Sequence, residues 1–135
     1  MKKLSFSFVM VLVVSLLAVS AAAQEKMPAQ AHIPFSFTVH NQTFDAGIYM
    51  VRRIGANVIR IEAPNTHRGV TLLAHPSVEG QGAGKLMFHR YGSRAFLRAV
   101  VAPAGAYGVE LPQSSAEAEI ARQAGQRTLL AVALQ

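Results

Sequence analysis

Chemistry in this chain has to come from a small stock of side chains: five histidines, seven acids and no cysteine in 135 residues. The densest grouping is Lys85, His89, Tyr91, Arg94, Phe96 and Arg98, where cations alternate with rings. Guanidinium and ammonium groups beside aromatic faces suit an anionic or sugar-like ligand, held by charge-assisted hydrogen bonds and stacking. The same residue types also suit a strand surface whose long side chains cover one another, or one that lies beneath a helix.

Sharper chemistries fail on spacing. His32 and His40 lie eight positions apart on one expected strand, roughly 26 Å, too far to share an ion. His75 and His89 flank a Gly-rich stretch and could approach each other, but no Cys or neighbouring acid completes a tetrahedral set. Neither a metal site nor a cofactor is therefore expected. Gly80-Gln81-Gly82-Ala83-Gly84-Lys85 has the wrong spacing for a phosphate loop, puts Leu86 where Ser or Thr is needed, and leads into a strand rather than a helix. There is no Gly-x-Ser-x-Gly elbow, and Glu117 and Glu119, two apart on a helix, do not face each other. The enzymatic alternative is an acid/base site centred on His89 with Tyr91 and Arg98 beside it. A concave site joining His89 to a carboxylate, with a shifted pKa, favours that alternative, and a flat surface favours a binding module.

The elements that must position these residues centre on 85–102, KLMFHRYGSRAFLRAVVA, which reads as a hairpin turning on Gly92-Ser93. A two-residue loop opening with Gly suits a type II′ turn, because Gly accepts positive φ without a Cβ clash. That register opposes Tyr91 to Arg94, His89 to Phe96, Phe88 to Leu97, Met87 to Arg98 and Leu86 to Ala99. One face then collects Leu86, Phe88, Ala95, Leu97, Ala99 and Val101 as core, and the other collects the candidate binding residues with Met87.

Taken in order, 24–31 reads as a flexible leader, and His32 to His40 alternates as a half-buried strand that, with Pro34 unable to donate, lies at a sheet edge or begins irregularly. Asn41-Gln42-Thr43 reads as a turn, and also matches a glycosylation sequon. Ile48–Ile54 and Val58–Ala63 form a second hairpin through Gly55-Ala56-Asn57, with Asn57 left-handed. In it Tyr49 and Val51 share the inner face with Ile59 and Ile61, while Arg52 meets Arg60 and Met50 meets Glu62. Val70 to His75 is expected to be buried on both sides, and Pro76 to Gly84 to be mobile. Ser114 and Glu117 form a capping box for a helix over Ser115–Ala124 that stops at Gly125, with Ile120 as its one large apolar residue. A last strand runs from Arg127 to Leu134.

The N-terminus belongs to targeting rather than to the fold. Lys2 and Lys3, the apolar run Leu4–Val19 and the Ala21-Ala22-Ala23 site read as a cleaved secretory signal over 1–23, with an uncleaved anchor as the alternative. A single β-rich domain of 112 residues, 24–135, is left, with no transmembrane segment and in the periplasm or outside the cell. Without the two leader lysines eleven basic residues face seven acids, a net charge of +4. Such a charge fits an anionic envelope component, and export argues against nucleic acid as partner.

These segments carry a resemblance. IPFSFTV at 33–39, AGIYMV at 46–51, LMFHRYG at 86–92 with AFL at 95–97, and LPQSSAEAEIAR at 111–122 resemble a family of small exported bacterial proteins of unknown function. The resemblance spans nearly all of 24–135. It implies export and one β-rich unit, and it carries over no catalytic or binding residue.

The expected fold is all-β, a small barrel or sandwich of about seven antiparallel strands with one short helix near the C-terminus. The expected function is a non-enzymatic binding or structural module of the cell envelope. The alternatives are the His89-centred enzyme and a barrel carrier of an apolar ligand, which needs an internal cavity.

Overall fold

A computed structural model of the chain describes residues 28–77, 83–103 and 107–135. The signal sequence expected over 1–23, and most of the Gly-rich stretch after Pro76, lie outside these residues. The protein is mostly β with one helix, curled into a half-barrel. Among the described residues there are eleven strands in two sheets, rather than about seven in one antiparallel set. The first sheet is antiparallel throughout and ordered β1 (Ala29–Ile33), β4 (Gly47–Gly55), β5 (Val58–Glu62), β6 (Gly69–Leu73). The second is ordered β11 (Thr128–Ala133), β8 (Lys85–Tyr91), β9 (Arg94–Val101), β10 (Gly108–Glu110), β7 (His75–Pro76). It also holds β2 (Phe37–Val39), which pairs antiparallel with β3 (Gln42–Phe44) and parallel with β9 at Thr38 and Phe96. That parallel bridge makes the second sheet mixed.

The expected leader and first strand are redrawn. Ala29–Ala31 already pairs with β4, so the ordered chain begins before His32. The single strand expected over 32–40 is two, because Pro34 has no N–H for a ladder and Pro34–Ser36 carries the chain from one sheet to the other. The following turn lies at His40-Asn41, where His40 takes φ of 58°, and Gln42 and Thr43 are already in β3.

The β4–β5 hairpin pairs Met50 with Glu62 and Arg52 with Arg60, as the alternation requires. Its loop is the two residues Ala56-Asn57, Ile54 is bulged out, and Asn57 is not left-handed. β6 is not buried on both sides: it pairs only with β5, and Leu73 is 76% exposed. Ala74 then carries the chain across to β7 in the second sheet.

The central hairpin turns at Gly92-Ser93 with Gly92 at φ of 59°, and its register holds from Tyr91↔Arg94 to Phe88↔Leu97. Beyond that point Met87 faces Ala99 and Leu86 faces Val100, so Arg98 is the extra residue of a β-bulge. The bulge flips the side-chain parity, and Val100 rather than Ala99 or Val101 joins the core cluster. It falls where β9 changes partner along its free edge, from β2 at Phe96 to β10 at Ala99.

The core lies between the sheets. Phe37 packs edge-on against Tyr49 at 5.0 Å and Phe88 at 5.5 Å, and Phe35 packs on Phe88 at 5.1 Å, geometries that rings prefer to face-to-face contact. One seam between the sheets is closed by the Ala31–Leu134 bridge and by reciprocal backbone hydrogen bonds between Gln30 and Gln135. The opposite seam, between the edge of β6 and the β2–β3 hairpin, stays open.

Candidate functional site

The helix α1 (Ser115–Ala124) sits over the outer face of β8–β9 and is fastened there by a carboxylate. Ser114 caps it, its Oγ accepting from the Glu117 amide at 3.2 Å, and Gly125 ends it at φ of 69°. The reciprocal half of the expected capping box does not form. The Glu117 side chain turns into the sheet, where Oε1 lies 3.1 Å from His89 Nδ1 and accepts from the Tyr91 hydroxyl at 3.2 Å. At 2% exposure Glu117 is the one buried residue of the helix. A carboxylate can only accept, so Nδ1 carries the proton of the His89 bond and Nε2 is left as the free ring nitrogen.

The electrostatics follow from burial. Desolvation lowers the His89 pKa below the usual histidine value, the charges of Arg127 and Arg98 push the same way, and Glu117 opposes them. Desolvation raises the Tyr91 pKa, and the Glu117 charge adds to the rise.

The six side chains expected to form a binding surface are not one open surface. Tyr91 and Phe96 are buried, and the Arg94 guanidinium lies 5.5 Å from the Phe96 ring centre, covering it rather than a ligand. Lys85 is at the far end of β8, four residues and about 13 Å from His89 along the strand. His89 and Arg98 do come together. They share a small concavity of about 160 Å³ with Arg127, Glu110, Met87 and Leu129. Among the described residues no group of three or more His, Cys, Asp or Glu could hold a metal.

A larger concavity lies elsewhere. A cleft of about 660 Å³ opens at the unclosed seam, lined by Val39, Val70, Leu72, Leu73, Phe96 and Leu111, with Thr38 and Glu117 among its polar atoms. Glu117 faces this cleft and His89 faces the cationic concavity, so their hydrogen bond is the partition between the two. The cleft is not an internal barrel cavity: the space between the sheets is filled by the phenylalanine cluster.

Sequence reasoning missed the cleft, the anchoring role of Glu117 and the presence of Arg127. A signal for Glu117 is there: 117, 120, 121 and 124 fall on one helical face, so the carboxylate sits within the helix's own apolar stripe. Nothing local marks the cleft, which depends on which two edges fail to meet.

Fold and site together define a small β-rich domain with a filled core, an open lateral cleft and a helix tethered through a buried carboxylate. No helix among the described residues is long and apolar enough to cross a membrane. No family model, curated protein or solved structure matches the chain.

Proposed function

We propose that the protein is an exported, non-enzymatic binding module of the cell envelope, and that its ligand is an apolar or amphipathic chain lying in the cleft between β6 and the β2–β3 hairpin. The single observation that carries this reading is the cleft. Its 660 Å³ falls in the range of small-molecule sites, about 300–1,000 Å³. Its apolar wall of Val39, Val70, Leu72, Leu73, Phe96 and Leu111 is flanked by a polar side that includes Thr38, His40, Asn41, Gln42 and Glu117, which suits an amphipathic ligand. Leu73, 76% exposed at its mouth, is an apolar side chain in want of cover. Export, with delivery to the periplasm or beyond, is supported by the basic, apolar and Ala-rich succession of 1–23 and by the motif resemblance.

Native mass spectrometry of the protein isolated from its own envelope tests this reading. Wild type carries an adduct, and Leu73→Glu, which puts a charge at the mouth without touching the core, loses it. A bare wild-type protein defeats the proposal.

The acid/base alternative meets the condition set for it, since His89 lines a concavity, is joined to the Glu117 carboxylate and has a lowered pKa. Glu117 orients His89 through Nδ1 and leaves Nε2 unprotonated in the neutral ring, as a general base requires. Against it, among the described residues the one hydroxyl bonded to the Glu117 carboxylate is that of Tyr91, which is committed there, and the Ser114 hydroxyl is taken up in capping the helix. Turnover of model esters or glycosides that His89→Gln abolishes would establish this second reading.

A further inference from the structure

We propose that the concavity walled by His89, Arg98 and Arg127 is an anion site that takes a phosphate group, free or carried by an ester. This site is separate from the apolar cleft and does not rest on the function proposed for it.

The fold places the cations deliberately. The β-bulge leaves Arg98 without a partner in β8 and turns both Arg98 and Ala99 toward the concavity, the kind of re-aiming that bulges perform beside sites. Arg98 Nη1 donates to the Leu111 carbonyl at 2.7 Å, which pins the guanidinium and leaves its other N–H groups for a ligand. Arg127 arrives from the opposite wall just before β11, whose Leu129 pairs with His89. Among the described residues neither guanidinium has a carboxylate within ion-pair distance. Glu110, on the same wall, instead accepts from the Ser77 hydroxyl at 3.2 Å.

Two guanidinium groups, neither ion-paired, outweigh the one carboxylate of Glu110 around a concavity of about 160 Å³, which has room for roughly five waters at about 30 Å³ each, enough for a tetrahedral oxyanion and part of its hydration. Planar guanidinium forks match the paired oxygens of phosphate. The two charges also depress the His89 pKa, so the empty site disfavours a third cation. An anion removes that penalty. His89 faces Glu117 from the helix, Tyr91 from its own strand, Arg98 from β9, Arg127 from the start of β11 and Glu110 from β10, and of these only the two arginines push its proton off. A bound phosphate therefore raises the His89 pKa, and proton uptake at Nε2 supplies one further donor to the anion.

The experiment follows the His89 ring resonances by NMR while inorganic phosphate, or in a second arm glycerol phosphate, replaces chloride at constant ionic strength. A saturable shift with a raised His89 pKa in either arm supports the site, and the tighter arm tells whether the group is free or esterified. Arg127→Gln, at an exposed position, weakens binding by about tenfold or more, the loss expected of one charge-assisted hydrogen bond, with an unchanged melting temperature. Arg94→Gln and Leu73→Glu leave phosphate binding as in wild type, which separates this site from the outer hairpin surface and from the cleft. No saturable shift in either arm, or equal binding by Arg127→Gln, overturns the proposal.

Discussion

The two central hairpins share a plan and differ in what covers it. Each has an apolar face in the core and a cationic face outside, and each cationic face meets one glutamate. On β4–β5 that glutamate is Glu62, half-exposed between Arg52 and Arg60, which are themselves open to solvent. On β8–β9 it is Glu117, delivered by a helix and buried against His89 and Tyr91. Water screens the first cluster, where an ion pair contributes little. The second is dry, so every donor left without its acceptor is costly. Similar charge patterning thus gives a solvated face in one hairpin and a structural anchor, with a concavity on either side of it, in the other.

Removing the two glutamates is the sharpest way to break that comparison. Glu117→Ala strips the acceptor from His89 Nδ1 and the Tyr91 hydroxyl at a buried position. The expected cost is about 2–3 kcal/mol in chemical denaturation, the penalty for orphaned buried donors. Amide exchange across Ser115–Ala124 should quicken in step, because no other helix residue is buried to hold it.

Acidity gives a smaller effect and separates the hairpins by the pH window in which it acts. Burial holds the His89 pKa below its unfolded value, so the unfolded chain takes up the proton first. Stability is then full above about pH 6.5 and falls as the pH drops toward the lower folded value, by at most about 1.4 kcal/mol per pH unit. The fall should be measurable in chloride buffers and absent in His89→Gln. Glu62 acts in the same sense but in a lower pH window. Its pKa is held down by the Arg60 hydrogen bond, so whatever it contributes is present above the usual carboxylate range and lost only in acid. At the bottom of the scale, Glu62→Ala leaves the melting temperature at neutral pH where it was.

The contrast also explains what could be read in the sequence. Period-two alternation fixes a strand's inner face, so Phe88, Leu97, Val51 and Ile61 fall in the core as expected. Cap chemistry is local, so Ser114 and Gly125 mark the ends of the helix to the residue. Bulges are not written in alternation: Arg98 and Ile54 look like ordinary strand members until a partner strand shows which residue is extra. The outer face of β8–β9 reads equally as a binding surface or as a face beneath a helix, because the helix that covers it lies far along the chain and brings one buried side chain. Leu73 reads as core because its neighbours are apolar, and only the missing partner on its side of β6 exposes it.

The central claim is that the apolar or amphipathic ligand belongs to the open seam and not to the outer faces of the hairpins. The direct measurement is an amide chemical-shift titration with octyl glucoside, a non-ionic amphiphile, kept below its micelle concentration. The account expects saturable shifts at Val70–Leu73 and Thr38–Gln42, with Arg52 and Arg60 on the outer face of β4–β5 unmoved. Shifts spread evenly over both hairpins, or none that saturate, would contradict it.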